Sequence, residues 1–99
     1  MEESTIRILS VLHSLPSGRV ISYGKAARTA GLPNGARQVA RILHSLAYKE
    51  QLPWHRVVRS DGLIAFPEGE GRDLQIALLR SEGVVVDNDG RVDLSLFGI

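Results

Sequence analysis

A small α+β domain built on a helix-turn-helix, winged-helix-like in plan, with short strands and a C-terminal hairpin, is the fold class predicted by this 99-residue chain. Three observations carry that expectation. Helical periodicity on either side of Leu32-Pro33-Asn34-Gly35 marks two helices joined by a tight turn. The strand-like runs, at residues 19–21, 57–58 and 84–86, are short. A last helical pattern gives way to two apolar runs around Asp87-Asn88-Asp89-Gly90, a hairpin signal.

Taken in order, residues 4–15 predict an opening helix. Ser4 is placed to cap it, Glu2 and Glu3 suit its positive end, and Ile8, Leu9, Leu12 and Leu15 form one apolar stripe. Pro16-Ser17-Gly18 ends it, and residues 19–21 suit a short strand. Ser22 is the expected N-cap of a second helix running to about Ala30, with Gly31 as its stop. The third helix sets Val39, Ile42, Leu43 and Leu46 on one side. Arg37, Arg41 and His44, with Gln38 and Ser45 beside them, occupy the other. Residues 53–58 predict a brief strand, and residues 59–71 a loop. Residues 72–82 predict a helix with Leu74, Ala77 and Leu78 inward and Gly83 as its stop. Residues 84–94 predict the hairpin.

Composition narrows the function classes. At 43% hydrophobic content the chain suits one domain, spanning 1–99, with a single core. It has no cysteine, which removes disulfides, thiolate zinc sites and thiol catalysis. His13, His44 and His55 lack metal-ligand spacing, so no metal and no cofactor are expected. No apolar stretch approaches the roughly 20 residues of a membrane span, and no signal-peptide pattern opens the chain, so no membrane partner and a cytoplasmic location are expected. The net charge of +1 conceals a division. Residues 19–59 carry Arg19, Lys25, Arg28, Arg37, Arg41, Lys49, Arg56 and Arg59 against Glu50 alone. From Pro67 onward Arg72, Arg80 and Arg91 face Glu68, Glu70, Asp73, Glu82, Asp87, Asp89 and Asp93. One surface suited to a polyanion and another turned away from it follow from that split.

Four motifs then occur in register. They are Tyr23-Gly24-x-Ala26-Ala27, Ala36-Arg37-Gln38-Val39, Pro53-Trp54-His55-Arg56-Val57 and Glu82-Gly83-Val84. In order and spacing they resemble the DNA-binding domain of the O6-alkylguanine-DNA alkyltransferases over about residues 5–86. In that family the residue between Pro53 and His55 is the alkyl-accepting cysteine. Here it is Trp54, the chain's sole tryptophan, and an indole is not a usable nucleophile. Trp at that position makes the chain similar to the alkyltransferase-like proteins, which bind alkylated guanine without accepting the alkyl group.

The resemblance implies a non-enzymatic sensor of O6-alkylguanine in duplex DNA, with no catalytic residue. Tyr23 and Arg37 would flip the nucleotide, Tyr23 pressing on the 3′ phosphate and Arg37 filling the vacated stack. Trp54, Tyr23, Val57, Val58, Phe66 and Pro67 would line the lesion pocket, with Val57 and Val58 supplying core or backbone there. Arg37, Gln38, Arg41, His44 and Ser45 would contact DNA from the minor-groove side and bend it. His55, Arg56 and Glu82 would support the pocket, the first and last matching a His–acid pair that in the enzymes serves the cysteine. Nucleotide excision repair proteins are the implied protein partners. The protein itself is expected to be monomeric, and nucleoid-associated if bacterial. The sequence departs from the transferases at Leu46, where they place Asn, and in Ala65-Phe66-Pro67-Glu68-Gly69, where a Tyr-Ser-Gly loop closes over the base. An Arg found in this loop of some alkyltransferase-like proteins is replaced by Pro67.

Two rivals stand beside this reading. One is a residual transferase or glycosylase that uses another residue. The other is a helix-turn-helix regulator without lesion specificity.

Overall fold

The computed structural model describes residues 1–99. The elements run α1 (Glu3–His13), β1 (Ile21–Ser22), α2 (Tyr23–Thr29), α3 (Ala36–Leu46), a 3-10 turn (Trp54–Arg56), β2 (Val57–Val58), α4 (Glu70–Ser81) and α5 (Leu94–Phe97). β1 and β2 pair in parallel, Ile21 beside Val57 and Ser22 beside Val58.

Local chemistry explains most boundaries. Ser22 caps α2 as expected, its hydroxyl accepting from the Lys25 amide at 3.1 Å. At the other end Gly31 takes φ +80°, and the Leu32 amide reaches back to the Ala27 carbonyl at 2.8 Å. That closure turns the chain sharply into α3, so α2 and α3 form the helix-turn-helix.

α1 begins one residue earlier than expected, with Glu2 at the cap position and no side-chain cap bond. Ser4 lies inside the helix and its hydroxyl accepts from Gln38 Nε2 at 2.9 Å, tying α1 to α3. The 53–58 segment divides into the 3-10 turn and the two-residue β2, because the Arg56 amide bonds back to the Pro53 carbonyl.

The interior consists of two clusters where one was expected. The first joins Ile8, Leu12, Ala27, Val39, Ile42, Leu52 and Val57. The second joins Val20, Val58, Ile64, Leu79, Val84, Val86 and Val92. β2 forms the seam, since successive strand side chains point to opposite faces.

α4 is rotated from its expected phase. Leu74 is 52% exposed and Ala77 is exposed, while Gln75 and Leu79 face inward. The C-terminal hairpin contracts to a turn. Asp87 accepts from the Asp89 and Arg91 amides, and Val86 bridges Val92. Leu63 bridges Arg91, and Gly62 packs so closely on the Val92 carbonyl that a Cβ has no room there. The predicted second strand then stops, because the Asp93 carboxylate caps α5 through the Ser95 amide at 2.9 Å. The chain end returns to the residue before β1, where Gly98 bridges Val20.

Candidate nucleic-acid interface and base cleft

α3 presents two chemically opposite faces. Val39, Ile42 and Leu43 are buried, and Arg37, Arg41, His44 and Ser45 are exposed. Neither Arg37 nor Arg41 takes part in any of the chain's ion pairs, so both guanidinium groups are free for an external anion. Ser45 turns its hydroxyl back to the Arg41 carbonyl at 2.8 Å. Gln38, next to Arg37 and partly exposed, donates through its amide nitrogen to Ser4 and so ties α3 to α1.

A cleft of about 1190 Å³ opens between the C-terminal half of α3 and the N-terminal half of α4. Tyr23, Leu43, His44, Tyr48 and Leu52 line one side, and Phe66, Pro67, Leu74, Gln75 and Leu78 the other, with Trp54 and His55 between them. Its volume exceeds the roughly 300–1,000 Å³ of typical small-molecule pockets, consistent with a cleft open to solvent.

The sequence-predicted pocket residues divide on inspection. Trp54, Tyr23, Phe66 and Pro67 border the cleft. Val57 and Val58 do not. They are 1% and 0% exposed, one in each core cluster, because β2 faces interior on both sides.

Two aromatic contacts shape the cleft. The Phe66 ring meets Trp54 edge-on, centroids 5.8 Å apart at 85°, and the His55 ring meets it at 6.0 Å and 83°. Phe66 is 46% exposed and rests over Gly71 at the start of α4. Tyr23 is half-buried against the first core cluster, and burial pushes its phenol pKa up.

Behind the cleft, His55, Arg56 and Glu82 come together as the motifs predicted. His55 Nε2 lies 2.6 Å from Glu82 Oε2. Arg56 donates through Nη2 to Oε2 at 2.7 Å and through Nε to Oε1 at 2.9 Å, and its Nη1 reaches the Leu15 carbonyl at 2.8 Å. The Gly18 amide donates to Oε1 at 2.9 Å. Hydrogen bonding from Arg56, helped by Gly18 and His55, holds the Glu82 pKa at about 2 against the opposing effect of burial. Glu82 therefore keeps its charge and joins the post-α1 turn, the Trp54 turn and the end of α4.

Gln75 was missed at the sequence level. It is 2% exposed, and its Nε2 donates to the His55 carbonyl at 3.0 Å and the Val57 carbonyl at 3.1 Å. The available signal was its i, i+4 spacing to Leu79, which is masked by the more apolar Leu74–Leu78 pairing. Tyr48 was also missed. It is 98% exposed in the turn after α3, where the Leu52 amide bonds back to Ala47 and Gln51 takes φ +52°.

Comparison with known proteins follows the same lines. Residues 3–84 match the family described as 6-O-methylguanine DNA methyltransferase, DNA binding domain. The chain is 37% identical over 94 residues to the DNA base-flipping protein of Vibrio parahaemolyticus, covering 95% of this chain and 93% of that protein. It is 34% identical over 87 residues to alkyltransferase-like protein 1 of Schizosaccharomyces pombe, covering 87% of this chain and 81% of that protein. The structure of S. pombe Atl1 in complex with damaged DNA containing O6-carboxymethylguanine superimposes with a TM-score of 0.88 at 30% identity, covering 100% of this chain and 96% of that one.

Proposed function

Because the chain belongs to the 6-O-methylguanine DNA methyltransferase DNA-binding family, and within it to the alkyltransferase-like proteins, we propose that it is a non-enzymatic sensor that binds O6-alkylguanine in duplex DNA by nucleotide flipping. The observation that carries this reading is Trp54, which stands in the acceptor position on the cleft between α3 and α4 while the His55–Glu82–Arg56 support remains assembled.

The mechanism follows from the groups present. The unpaired guanidinium groups of α3 approach the phosphate backbone. Arg37, at the start of that helix, enters the stack as the lesion leaves it, offering a planar cation that stacks and donates several hydrogen bonds. Tyr23, the first residue of α2, borders the cleft and presses the backbone into rotation. The flipped base enters a cleft whose Trp54 and Phe66 rings offer flat apolar surface to the ring and its alkyl group. Since no thiol follows, the base is held intact. The output proposed is a bent, lasting complex that nucleotide excision repair proteins recognise, formed in the cytoplasm, on the nucleoid in a bacterium, by a monomer.

The deciding experiment incubates the protein with a duplex carrying O6-methylguanine labelled on the methyl group, beside a matched guanine duplex, with mass spectrometry of both partners afterwards. Preferential binding with no mass change in either is expected. Label on the protein or release of the base supports the enzyme reading. Equal affinity for both duplexes supports a regulator without lesion specificity.

A further inference from the structure

Gln75 is the single polar side chain in the buried set. Its two amide hydrogens are both spent, on the His55 and Val57 carbonyls. Those bonds also fix which way round the amide lies, because a turned amide would set Oε1 against two carbonyl oxygens. Oε1 thus points away from them, and it accepts no hydrogen bond from the protein. Every side-chain nitrogen or oxygen sealed from solvent has a partner. An unpartnered Oε1 is therefore one that reaches open space, and the space Gln75 borders is the cleft.

This leaves a rigidly held acceptor on the cleft wall, beside the two carbonyls that flank Arg56 in the Trp54 motif. Alkylation at O6 makes the guanine edge an aryl ether. N1 loses its hydrogen, N3 and N7 are acceptors, and the exocyclic 2-amino group is the only N–H donor left on the base. The geometry points to Gln75 Oε1 as a specificity-determining acceptor for that 2-amino group, an inference that rests on the lesion-binding reading above. An acceptor that gives up its water to an incoming base and gains no donor is costly, so a base without the amine is disfavoured in the cleft. The same amide that reads the base holds the motif backbone, so recognition and support share one side chain.

The test measures affinity for three matched duplexes carrying guanine, O6-methylguanine or O6-methylhypoxanthine, which lacks only the 2-amino group. It compares the unaltered protein with Gln75→Lys, whose ammonium still donates to the two carbonyls but cannot accept. Removing the amine is expected to weaken binding about tenfold for the unaltered protein, the scale of one hydrogen bond, and about twofold or less for Gln75→Lys. Equal losses in both proteins, or no loss in the unaltered one, overturn the inference. A protein that does not prefer O6-methylguanine to guanine fails the lesion reading instead, so the two failures are distinguishable. Should Gln75→Lys not fold, the 13Cδ resonance of Gln75 in the unaltered protein decides. It is expected to move with the O6-methylguanine duplex and not with its hypoxanthine counterpart, and equal shifts overturn the assignment.

Discussion

The guanidinium of Arg56 grips both carboxylate oxygens of Glu82, with Nη2 2.7 Å from Oε2 and Nε 2.9 Å from Oε1. A planar fork matched to a carboxylate in this way is stronger and more directional than a single-point ion pair. Glu82 also takes the Gly18 amide and faces His55, so one carboxylate fastens three distant stretches of chain around the Trp54 turn.

Removing that carboxylate destabilises the whole domain. Glu82→Ala leaves Arg56 largely buried without its anion, and a loss of about 2–4 kcal/mol is expected from urea unfolding. Glu82→Gln, which retains an acceptor, loses less. A change below about 0.5 kcal/mol for Glu82→Ala, the range of ordinary surface substitutions, would show the cluster to be incidental.

Acid exposes the same linkage. The Glu82 pKa is lowered from 4.5 to about 2 on folding. A depressed carboxylate pKa contributes stability that is full above 4.5 and is lost as the pH falls through that value toward 2. Unfolding titrations at a series of pH values are expected to show stability declining across this window, and Glu82→Gln to flatten that part of the decline.

Trp54 is the chain's only indole, so its fluorescence reports one site. Its emission is expected to change on adding a duplex with O6-methylguanine, and far less with matched undamaged DNA. Phe66→Ala, which removes the ring set edge-on against the indole, is expected to shift the emission of the free protein too. An unchanged spectrum in a complex proven by another method argues against a base lodged at Trp54.

Tyr23 and Arg37 are predicted to matter for discrimination beyond general attachment. Tyr23→Ala and Arg37→Ala are each expected to weaken lesion binding by about 1–3 kcal/mol, the scale of a stacking or specific base contact, with a smaller effect on undamaged duplex. Titration of both duplexes checks this, and equal losses on both would mark them as general contacts.

Affinity is expected to fall steeply with salt, because the free cations of α3 displace condensed counterions when they meet phosphates. A plot of log affinity against log salt concentration supplies the slope. Arg41→Ala is expected to reduce the slope by about one unit.

Much of this arrangement was legible in the chain. Ser22, Gly31 and the apolar stripe of α3 announce the helix-turn-helix because caps, stops and periodicity are local properties. The His55–Arg56–Glu82 cluster was legible only through motif resemblance, since residues 26 positions apart in sequence carry no pairing signal of their own. The phase of α4 was misjudged because apolar character points to Leu74 and Leu78, whereas two backbone carbonyls needing donors draw Gln75 inward. Of the two roles the sequence leaves open for Val57 and Val58, core or pocket wall, the structure gives core. A two-residue strand between two cores has no free face. The C-terminal hairpin was half legible, as its Asp-rich turn is local but the Asp93 cap beyond it redirects the chain into α5.

The division of the interior at β2 bears on how long a complex lasts. One wall of the cleft, α3, is rooted in the first cluster, and the other, α4, in the second. A base seated between them would bridge two halves that also meet along β2, through the Gln75 bonds to His55 and Val57, and through the Glu82 cluster. A base held by both walls is then expected to leave more slowly than its contacts to either wall alone would allow.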